Sequence, residues 1–432
     1  MYKTCRDLEG SLYVAPNEIR ACCQRFFYNG KIRGDAKLIE IKNGKTPTSS
    51  DILIARENIF NQIQKNEKME CNGCKYLYKV KEKPKLTSKV EHLSIEHHSV
   101  CNLRCTYCSE VYYGGKRSKY DVVEFISYLS KNDDFKNCNQ VVWGGGEPTL
   151  DKSFELILEA IDKKANPKLY HRVFTNSVRY SLAVEKFLKK GLIKIVTSID
   201  SGTPETFKKI RGRPRFFNVF KNLKTYASID PSRITVKYIF TDGNNNIDEL
   251  QNFVKNCKLY QLQNCNFQIS MNYKKEELEF EMLKSISFLF GKLVNNGFKK
   301  IFLDDHVMGR FISLDNNNLL KLISYLEDNN LKNVFLDPKK INNLIVYGAG
   351  NIGKEMIRKT NFFKTISDFD VIDSDTSRIG DNFIKKTIKS PKILKGDQRQ
   401  IYISAALNYD EIYKSIVSIK GNSNNILTGL IV

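Results

Sequence analysis

The sequence has no long apolar run. No stretch of eighteen consecutive apolar residues occurs among its 432 residues, so a transmembrane helix is not predicted. The first seven residues, MYKTCRD, also lack the apolar core of a secretory signal peptide. The expected location is therefore the cytoplasm, with no membrane partner. The length predicts two or three domains, each large enough for its own core.

Acidic residues are scarce relative to basic ones. The chain has 48 Asp and Glu against 69 Lys and Arg, which gives a net charge of +21. A clustered basic surface would indicate nucleic acid, because it releases counterions from phosphates. Here the lysines are spread along the chain among many asparagines and isoleucines, as is common in AT-rich genomes. A basic face for an anionic substrate fits this pattern better, and nucleic acid is not the expected partner.

Cysteine is moderate in number, and its 11 residues do not predict a disulfide framework in a chain without a secretion signal. Three of the cysteines form a tight C-x3-C-x2-C group, Cys101, Cys105 and Cys108. Five cysteines precede this group: Cys5, Cys22, Cys23, Cys71 and Cys74. Three are isolated and are expected to be buried structural thiols: Cys138, Cys257 and Cys265.

The tight group suits a cubane iron–sulfur cluster that has one iron open to a ligand other than protein. Such a cluster usually takes four cysteine thiolates, so three leave one iron free. Zinc is the alternative, but it needs four protein ligands in a structural site or three and a water in a catalytic one. The spacing is also not the C-x2-C pair of zinc knuckles. Iron–sulfur chemistry is therefore favoured.

The stretch from Cys101 to Cys108, with Tyr107 before its last cysteine, resembles the signature of the radical S-adenosylmethionine (radical SAM) enzymes. Three further stretches, within roughly residues 88–300, resemble that family's motifs in the same order: QVVWGGGEP at 140–148, VFTNS at 173–177 and VTSID at 196–200. The resemblance implies a 4Fe-4S cluster on the three cysteines, with S-adenosylmethionine on its open iron. The residues it implies for cofactor binding are Tyr107, Gly144, Gly145, Gly146, Glu147, Asn176, Ser198, Asp200 and Lys237.

Residues 88–335 alternate predicted strands with amphipathic helices, which indicates parallel pairing. We predict strands at 91–96, 140–143, 170–174, 193–198, 234–240 and 264–269, and a further one at 300–303. The fold class expected is α/β, with the partial (β/α)6 TIM-type barrel that the resemblance implies. In parallel barrels the chemistry collects at the carboxyl ends of the strands, where the motifs above lie. Lys237 also fits an ordinary outward-facing strand residue.

Residues 1–85 form a small cysteine-rich module in this reading. We predict a hairpin from 11–14 and 19–23, and a helix over 50–63 capped by Ser49 or Ser50. Four thiolates resemble the ligands of the auxiliary SPASM or Twitch module, which carries a second 4Fe-4S cluster, although that module usually follows the barrel. They are Cys5, Cys22, Cys71 and Cys74, with Cys23 as substitute for Cys22. A small zinc site with the same ligands is the alternative.

A new strand and helix pattern begins at residue 341 and continues to residue 432. A predicted buried strand is followed by a G-x-G-x-x-G motif at Gly348, Gly350 and Gly353, and a second predicted strand ends at Asp373. This pattern predicts half of a Rossmann-like fold, with a diphosphate at the helix start and the acid near a ribose. It resembles small domains attached to enzymes of bacterial surface-sugar biosynthesis. The expected ligand is a mononucleotide or sugar nucleotide, and the alternative is a domain that only packs.

These observations predict a radical SAM enzyme that reductively cleaves S-adenosylmethionine to a 5′-deoxyadenosyl radical. The radical would then oxidise or epimerise a nucleotide-linked sugar or a surface-polysaccharide precursor. An electron donor such as flavodoxin or ferredoxin is the expected partner. Peptide or protein modification, radical methylation and a non-enzymatic metal-binding scaffold for nucleic acid are the alternatives.

Three further features leave a choice open. A thiol such as Cys265 would return hydrogen in an epimerisation, whereas an auxiliary cluster would accept an electron in a dehydrogenation. His97 and His98 suit either acid–base chemistry or packing against the cysteine loop. Residues 304–306 suit either the active-site mouth or a solvated loop.

Overall fold

The structure is a computed structural model, and it describes residues 1–24, 26–29, 31–42, 44–109, 114–163, 166–167, 169–272, 274, 278–341, 343–366, 368–406 and 408–432. It divides into two compact units, Met1–Val196 and Thr197–Val432. Both units mix helices and strands, and the predicted α/β class is confirmed. No helix in the described ranges is long and apolar enough to cross a membrane. Of the amphipathic helices that the sequence predicts, the one at 153–164 ends and the one at 276–295 begins outside the described residues, at Lys164 and Glu276.

The first unit contains eleven named strands and five helices among its described residues, and its last strand ends two residues beyond the boundary. The strands are β1 Tyr2–Thr4, β2 Ser11–Val14, β3 Glu18–Arg20, β4 Phe26–Tyr28, β5 Lys31–Arg33, β6 Lys37–Glu40, β7 Tyr78–Val80, β8 His92–Ile95, β9 Gln140–Trp143, β10 Tyr170–Phe174 and β11 Ile193–Ser198. The helices are α1 Arg6–Gly10, α2 Ser49–Gln64, α3 Val122–Lys131, α4 Phe154–Asp162 and α5 Leu182–Lys189.

The main sheet of the first unit crosses the predicted boundary at residues 85–88. Strands β8 to β11 pair in parallel in chain order, as predicted. On the other side of β8, β2 pairs with it in parallel, and β3 and β6 follow as antiparallel strands. An uncovered edge strand exposes unpaired backbone groups. Strands β2, β3 and β6 of the amino-terminal segment therefore extend the sheet of the first barrel strand, whereas β1 with β7 and β4 with β5 form two separate antiparallel pairs.

Helix α2 holds this extension to the barrel through one buried side chain. Thr48 caps the helix in a capping box with Asp51, so the predicted caps at Ser49 or Ser50 are wrong by one or two residues. Arg56 is fully buried and donates hydrogen bonds to backbone carbonyls of four residues, Glu9, Ser11, Thr87 and Lys89. A guanidinium group can satisfy this many acceptors at once because its donors form a fixed fork.

The second unit has its own elements. Its strands are β12 Ile234–Phe240, β13 Asn266–Met271, β14 Ile301–Leu303, β15 Leu344–Tyr347, β16 Phe369–Ile372, β17 Asn382–Phe383, β18 Lys386–Lys389 and β19 Gln400–Ile403. Its helices are α6 Pro204–Arg211, α7 Phe216–Ile229, α8 Ile247–Leu259, α9 Phe280–Asn295, α10 Asp305–Ile312, α11 Asn316–Asp328, α12 Asn351–Lys359, α13 Asn361–Thr365 and α14 Tyr409–Lys420.

These strands form two arrangements. Strands β12, β13 and β14 pair in parallel in chain order. A separate five-stranded sheet has the order β17-β18-β16-β15-β19, in which all neighbours except β17 and β18 are parallel. The chain order reverses between β15 and β19, and such a switch point opens a crevice at the carboxyl ends of the strands. The sequence did not predict β17 or β18, which are short and partly exposed.

Candidate active site and metal centres

The loop after β8 brings three thiols together at the carboxyl edge of the sheet. Cys101, Cys105 and Cys108 are half-buried and form no disulfide. The backbone N–H of Leu103 donates to the Cys101 sulfur at 3.4 Å, and the Cys108 N–H donates to the Cys105 carbonyl at 3.0 Å. The loop therefore turns tightly around its three thiols. Tyr107 is half-buried beside the last of them.

The glycine triplet after β9 packs against this loop. The N–H of Gly146 donates to the His98 carbonyl at 3.0 Å. A Cβ added at Gly146 would lie 2.2 Å from the Val100 carbonyl oxygen, and one at Gly145 would lie 2.7 Å from that of His98. Gly145 also has φ +83°, which favours glycine. Glycine is thus required at these positions because the glycine loop and the cysteine loop lie very close together. The sequence had suggested close approach to a ligand instead.

Glu147 joins the glycine loop to the end of β10. Its carboxylate is buried and accepts hydrogen bonds from the Asn176 N–H at 2.6 Å and the Thr175 hydroxyl at 2.7 Å. The Thr149 hydroxyl donates to it as well, at 2.7 Å. Burial raises the pKa of Glu147, and these hydrogen bonds oppose that rise. The Glu147 carboxylate therefore accepts its hydrogen bonds from the protein and holds the glycine loop to the end of β10.

Asn176 links β10 to the cysteine loop. Its side-chain amide donates to Asn102 Oδ1 at 2.6 Å and lies 3.8 Å from the Cys101 sulfur. Its own carbonyl oxygen accepts from the Val178 N–H at 3.0 Å. The structure thus brings Asn176, the glycine triplet and the three thiols of the first unit into one site.

The remaining predicted barrel residues lie in the second unit. Asp200 is fully buried, and its carboxylate accepts from the Ile239 N–H at 2.7 Å and from Arg211 Nη1 at 2.8 Å. Arg211 was not predicted from the sequence. A cation on a short helix, eleven residues after the VTSID motif, was a possible signal. Lys237 is inward-facing, and burial lowers its pKa while Asp304 and Asp200 oppose this. Cofactor contacts of Asp200, Lys237 and the half-buried Ser198 stay predictions.

Four amino-terminal thiols lie within electrostatic reach of one another. Cys5, Cys22 and Cys71 pack against a single apolar cluster built around Leu8 and Phe60. Burial raises the pKa of Cys5 and of Cys71 to about 12, and the electrostatic influence of Cys22 and Cys74 adds to both. The structure thus gathers the four predicted ligands from three separate segments. A metal ion is what would make such thiols lose their protons.

The structure also separates Cys22 from its neighbour. Cys23 is exposed, and after burial the largest contribution to its raised pKa, about 12, comes from Glu96. Cys22, and not Cys23, is among the thiols that raise the pKa of Cys5 and Cys71, so Cys22 stays the predicted fourth ligand. Gly73, between Cys71 and Cys74, has φ +73°, and a Cβ there would overlap the Tyr28 ring at 2.1 Å. This turn requires glycine.

Glu96 is a site residue that the motifs did not reveal. Tyr13 Oη donates to its carboxylate, and the Arg20 guanidinium lies 5.1 Å from the centre of the Tyr13 ring. A Cβ added at Gly144 would lie 2.8 Å from Glu96 Oε1, so this carboxylate borders the glycine loop. The sequence signal was the two-residue repeat of a strand. Leu93 and Ile95 lie on one face and are buried, so Glu96 lies on the opposite face.

The carboxyl-terminal glycine loop lies at the switch point between β15 and β19. Gly348 has φ +118°, and a Cβ at Gly353 would lie 2.6 Å from the Gly348 carbonyl oxygen. Asp373 Oδ2 accepts from the Ala349 N–H at 2.7 Å, so this acid holds the loop. A Cβ at Gly350 would meet no atom within 4 Å. The loop is therefore tightly packed at Gly348 and Gly353, whereas free space lies next to Gly350.

Comparison with known proteins agrees with the arrangement around Cys101. The model of the radical SAM superfamily matches residues 95–257. These residues form a radical SAM domain. Members of this superfamily bind a 4Fe-4S cluster and S-adenosylmethionine. The three cysteines fit that cluster, because their thiols lie on one loop and a backbone N–H points at the first sulfur.

Curated relatives match the chain over part of its length. GTP 3′,8-cyclase of Mannheimia succiniciproducens is 30% identical over 174 residues, which cover 38% of this chain and 50% of the relative. A probable GTP 3′,8-cyclase of Methanocaldococcus jannaschii is 27% identical over 176 residues, covering 41% and 58%. The chain thus spans about half the length of the curated relatives it matches.

Solved structures resemble the chain at low identity. Streptococcus suis SuiB bound to S-adenosylmethionine is 14% identical, with a TM-score of 0.43 and coverage of 62% of this chain and 59% of SuiB. Native anSMEcpe with bound AdoMet is 21% identical, with a TM-score of 0.39 and coverage of 49% and 63%.

Proposed function

We propose that this radical SAM enzyme abstracts hydrogen from a nucleotide-linked sugar or a related surface-polysaccharide precursor and oxidises it. The observation that carries the proposal is the loop of Cys101, Cys105 and Cys108, held against the glycine triplet and Asn176 within a matched radical SAM domain. When bound, the cluster and S-adenosylmethionine supply a 5′-deoxyadenosyl radical after reduction by an external donor such as flavodoxin or ferredoxin.

The chain's own residues keep that site rigid. Glu147 fixes the Asn176 backbone, and Asn176 in turn holds Asn102 beside the first cysteine. The glycine triplet locks the cysteine loop to the end of β9 through hydrogen bonds to backbone carbonyls. A preorganised site limits the positions a reactive species can reach, and hence the C–H bond that it attacks.

Two features support a nucleotide-linked substrate. The parallel sheet around β15 has the switch-point topology of nucleotide-binding folds, and its glycine loop is open above Gly350. The matched relatives are named for a reaction of GTP, a nucleotide. Helix α12 begins directly after Gly350, so its amino end provides N–H groups for a diphosphate. Asp373 is tied to Ala349, which leaves Gly350 and the helix start as the proposed diphosphate contacts.

The outcome that we propose is oxidation through a second cluster on Cys5, Cys22, Cys71 and Cys74. Such a cluster can accept the electron left on a substrate radical. Epimerisation by Cys265 is less well supported, because this buried thiol directly precedes β13 and so lies at its amino end. The chemistry of parallel barrels collects at the opposite end. A zinc ion on the same four thiols would remove this electron acceptor.

The test is the metal content and product of anaerobically purified protein. We expect about eight irons per chain, about four in a Cys101/Cys105/Cys108→Ala variant, and about four in a Cys5/Cys71/Cys74→Ala variant. With a chemical reductant, wild type should form 5′-deoxyadenosine and the first variant none. A panel of nucleotide sugars, GTP and peptides then identifies the substrate by stimulated turnover.

Zinc in place of iron at the amino-terminal site would contradict the oxidation step. Absence of 5′-deoxyadenosine from iron-loaded wild type would contradict the whole proposal. Stimulation by peptides alone would overturn the substrate class.

A further inference from the structure

A cavity of about 220 Å³ lies beside the cysteine loop in the first unit, and the proposed function does not use it. His97 and His98, which follow β8, line this cavity together with Asp151, which follows the glycine loop. Arg117 and Asp121 contribute one charge of each sign to the same lining. The cavity therefore combines two imidazole groups with carboxylates.

The three possible ligands are already close to one another. His97 Nε2 lies 2.8 Å from Asp151 Oδ2, and the rings of His97 and His98 are 4.8 Å apart and nearly perpendicular, at 89°. One nitrogen or oxygen of each residue lies within 4.8 Å of the others. Within the described ranges, no other group of three metal-ligating side chains is this compact.

Hydrogen bonding within the protein does not fully account for this cluster. Both histidines are buried, yet His97 Nδ1 has no hydrogen-bond partner. The hydrogen bond that holds this ring is thus the one between Nε2 and Asp151, and Nε2 is the nitrogen placed to bind an ion beside that carboxylate. Asp151 is partly fixed by the Ser153 N–H at 3.2 Å and so is held toward His97.

We infer that His97, His98 and Asp151 bind a divalent metal ion, separately from the cysteine sites. The ion would take the place of the proton shared by His97 and Asp151, and His98 would complete a two-nitrogen, one-oxygen ligand set. Such ligands suit Mn²⁺, Fe²⁺ and Zn²⁺, whereas thiolate groups favour softer ions. The cavity supplies room for water at the remaining positions.

The test is a titration with Mn²⁺ alone, because this ion binds nitrogen and oxygen ligands and competes poorly for cysteine. The full chain is purified anaerobically with its iron in place, and electron paramagnetic resonance measures free Mn²⁺. We expect one saturable site, and spin-echo modulation from ¹⁴N should show imidazole on the bound ion. This signature does not arise if the three side chains only brace the loop.

Asp151→Asn keeps the size of the side chain and should weaken Mn²⁺ binding by about tenfold or more. Asp121→Asn, at a carboxylate that lines the same cavity outside the ligand set, should leave the affinity unchanged. If Asp151→Asn loses iron or does not fold, His98→Gln replaces it, with the same expected loss. No saturable binding to wild type, no ¹⁴N modulation, or equal affinity in wild type and a folded ligand variant would overturn the inference. Its failure would leave the proposed radical chemistry untouched.

Discussion

At the residue scale, several polar side chains in the first unit are buried for structural reasons. His171 is the clearest case, since it lies in the core of β10 and accepts a hydrogen bond from the Trp143 indole N–H at 3.1 Å. Burial lowers its pKa from 6.5 to about 3. The imidazole is therefore neutral in the folded protein, and its surroundings would not accommodate a charge.

This burial predicts acid sensitivity. The unfolded chain takes up a proton near pH 6.5 and the folded chain only near pH 3, so the contribution of His171 is fully present above pH 6.5 and is lost as pH falls toward 3. We expect wild type to lose about 2 kcal/mol of unfolding free energy at pH 5 from this group. In His171→Gln that part of the pH dependence should vanish, as measured by urea unfolding. The exposed His306→Gln is the control, and an equal slope in His171→Gln would refute the assignment.

At the element scale, α2 and the barrel strand β8 are joined by Arg56. The four backbone carbonyls that it binds belong to α1, β2 and the segment leading into β8. Burial lowers the pKa of Arg56 to about 10, with Asp134 and Glu91 opposing the change.

Replacing Arg56 should therefore be costly. Arg56→Met leaves several buried carbonyl oxygens unsatisfied, and we expect a loss of about 3–5 kcal/mol in unfolding free energy. Denaturant unfolding of purified protein measures it. Lys65→Met, at the exposed end of the same helix, should change stability by less than about 0.5 kcal/mol. A similar small effect at Arg56 would show that these carbonyls find other donors.

At the scale of the whole molecule, the amino-terminal segment is part of the barrel sheet. Strand β2 pairs with β8 along its whole length, from Ser11 opposite His92 to Val14 opposite Ile95. We expect a chain without residues 1–85 to self-associate or precipitate, because β8 becomes an open edge with unpaired backbone groups. Size-exclusion chromatography and light scattering against full-length protein measure this. A monomeric truncated barrel that retains about four irons would contradict the pairing.

The sequence by itself determined the features whose chemistry depends on short spacing. The C-x3-C-x2-C loop, the glycine triplet and the G-x-G-x-x-G motif are local, since ligand number and backbone freedom are set within a few residues. The strands at 140–143, 170–174, 193–198 and 234–240 were also predicted to the residue, because buried runs between helices leave little choice of register.

Only the tertiary structure decided the contacts between distant segments. In the structure β2 pairs with β8, Cys22 packs against the apolar cluster around Leu8, and His97 contacts Asp151. It also assigned Glu147 and Asp200 to protein donors, although their motifs suggested ligand contacts. Which acceptor a carboxylate meets, and which thiol faces inward, depends on burial and on strand pairing across long separations. Local spacing carries no information about either.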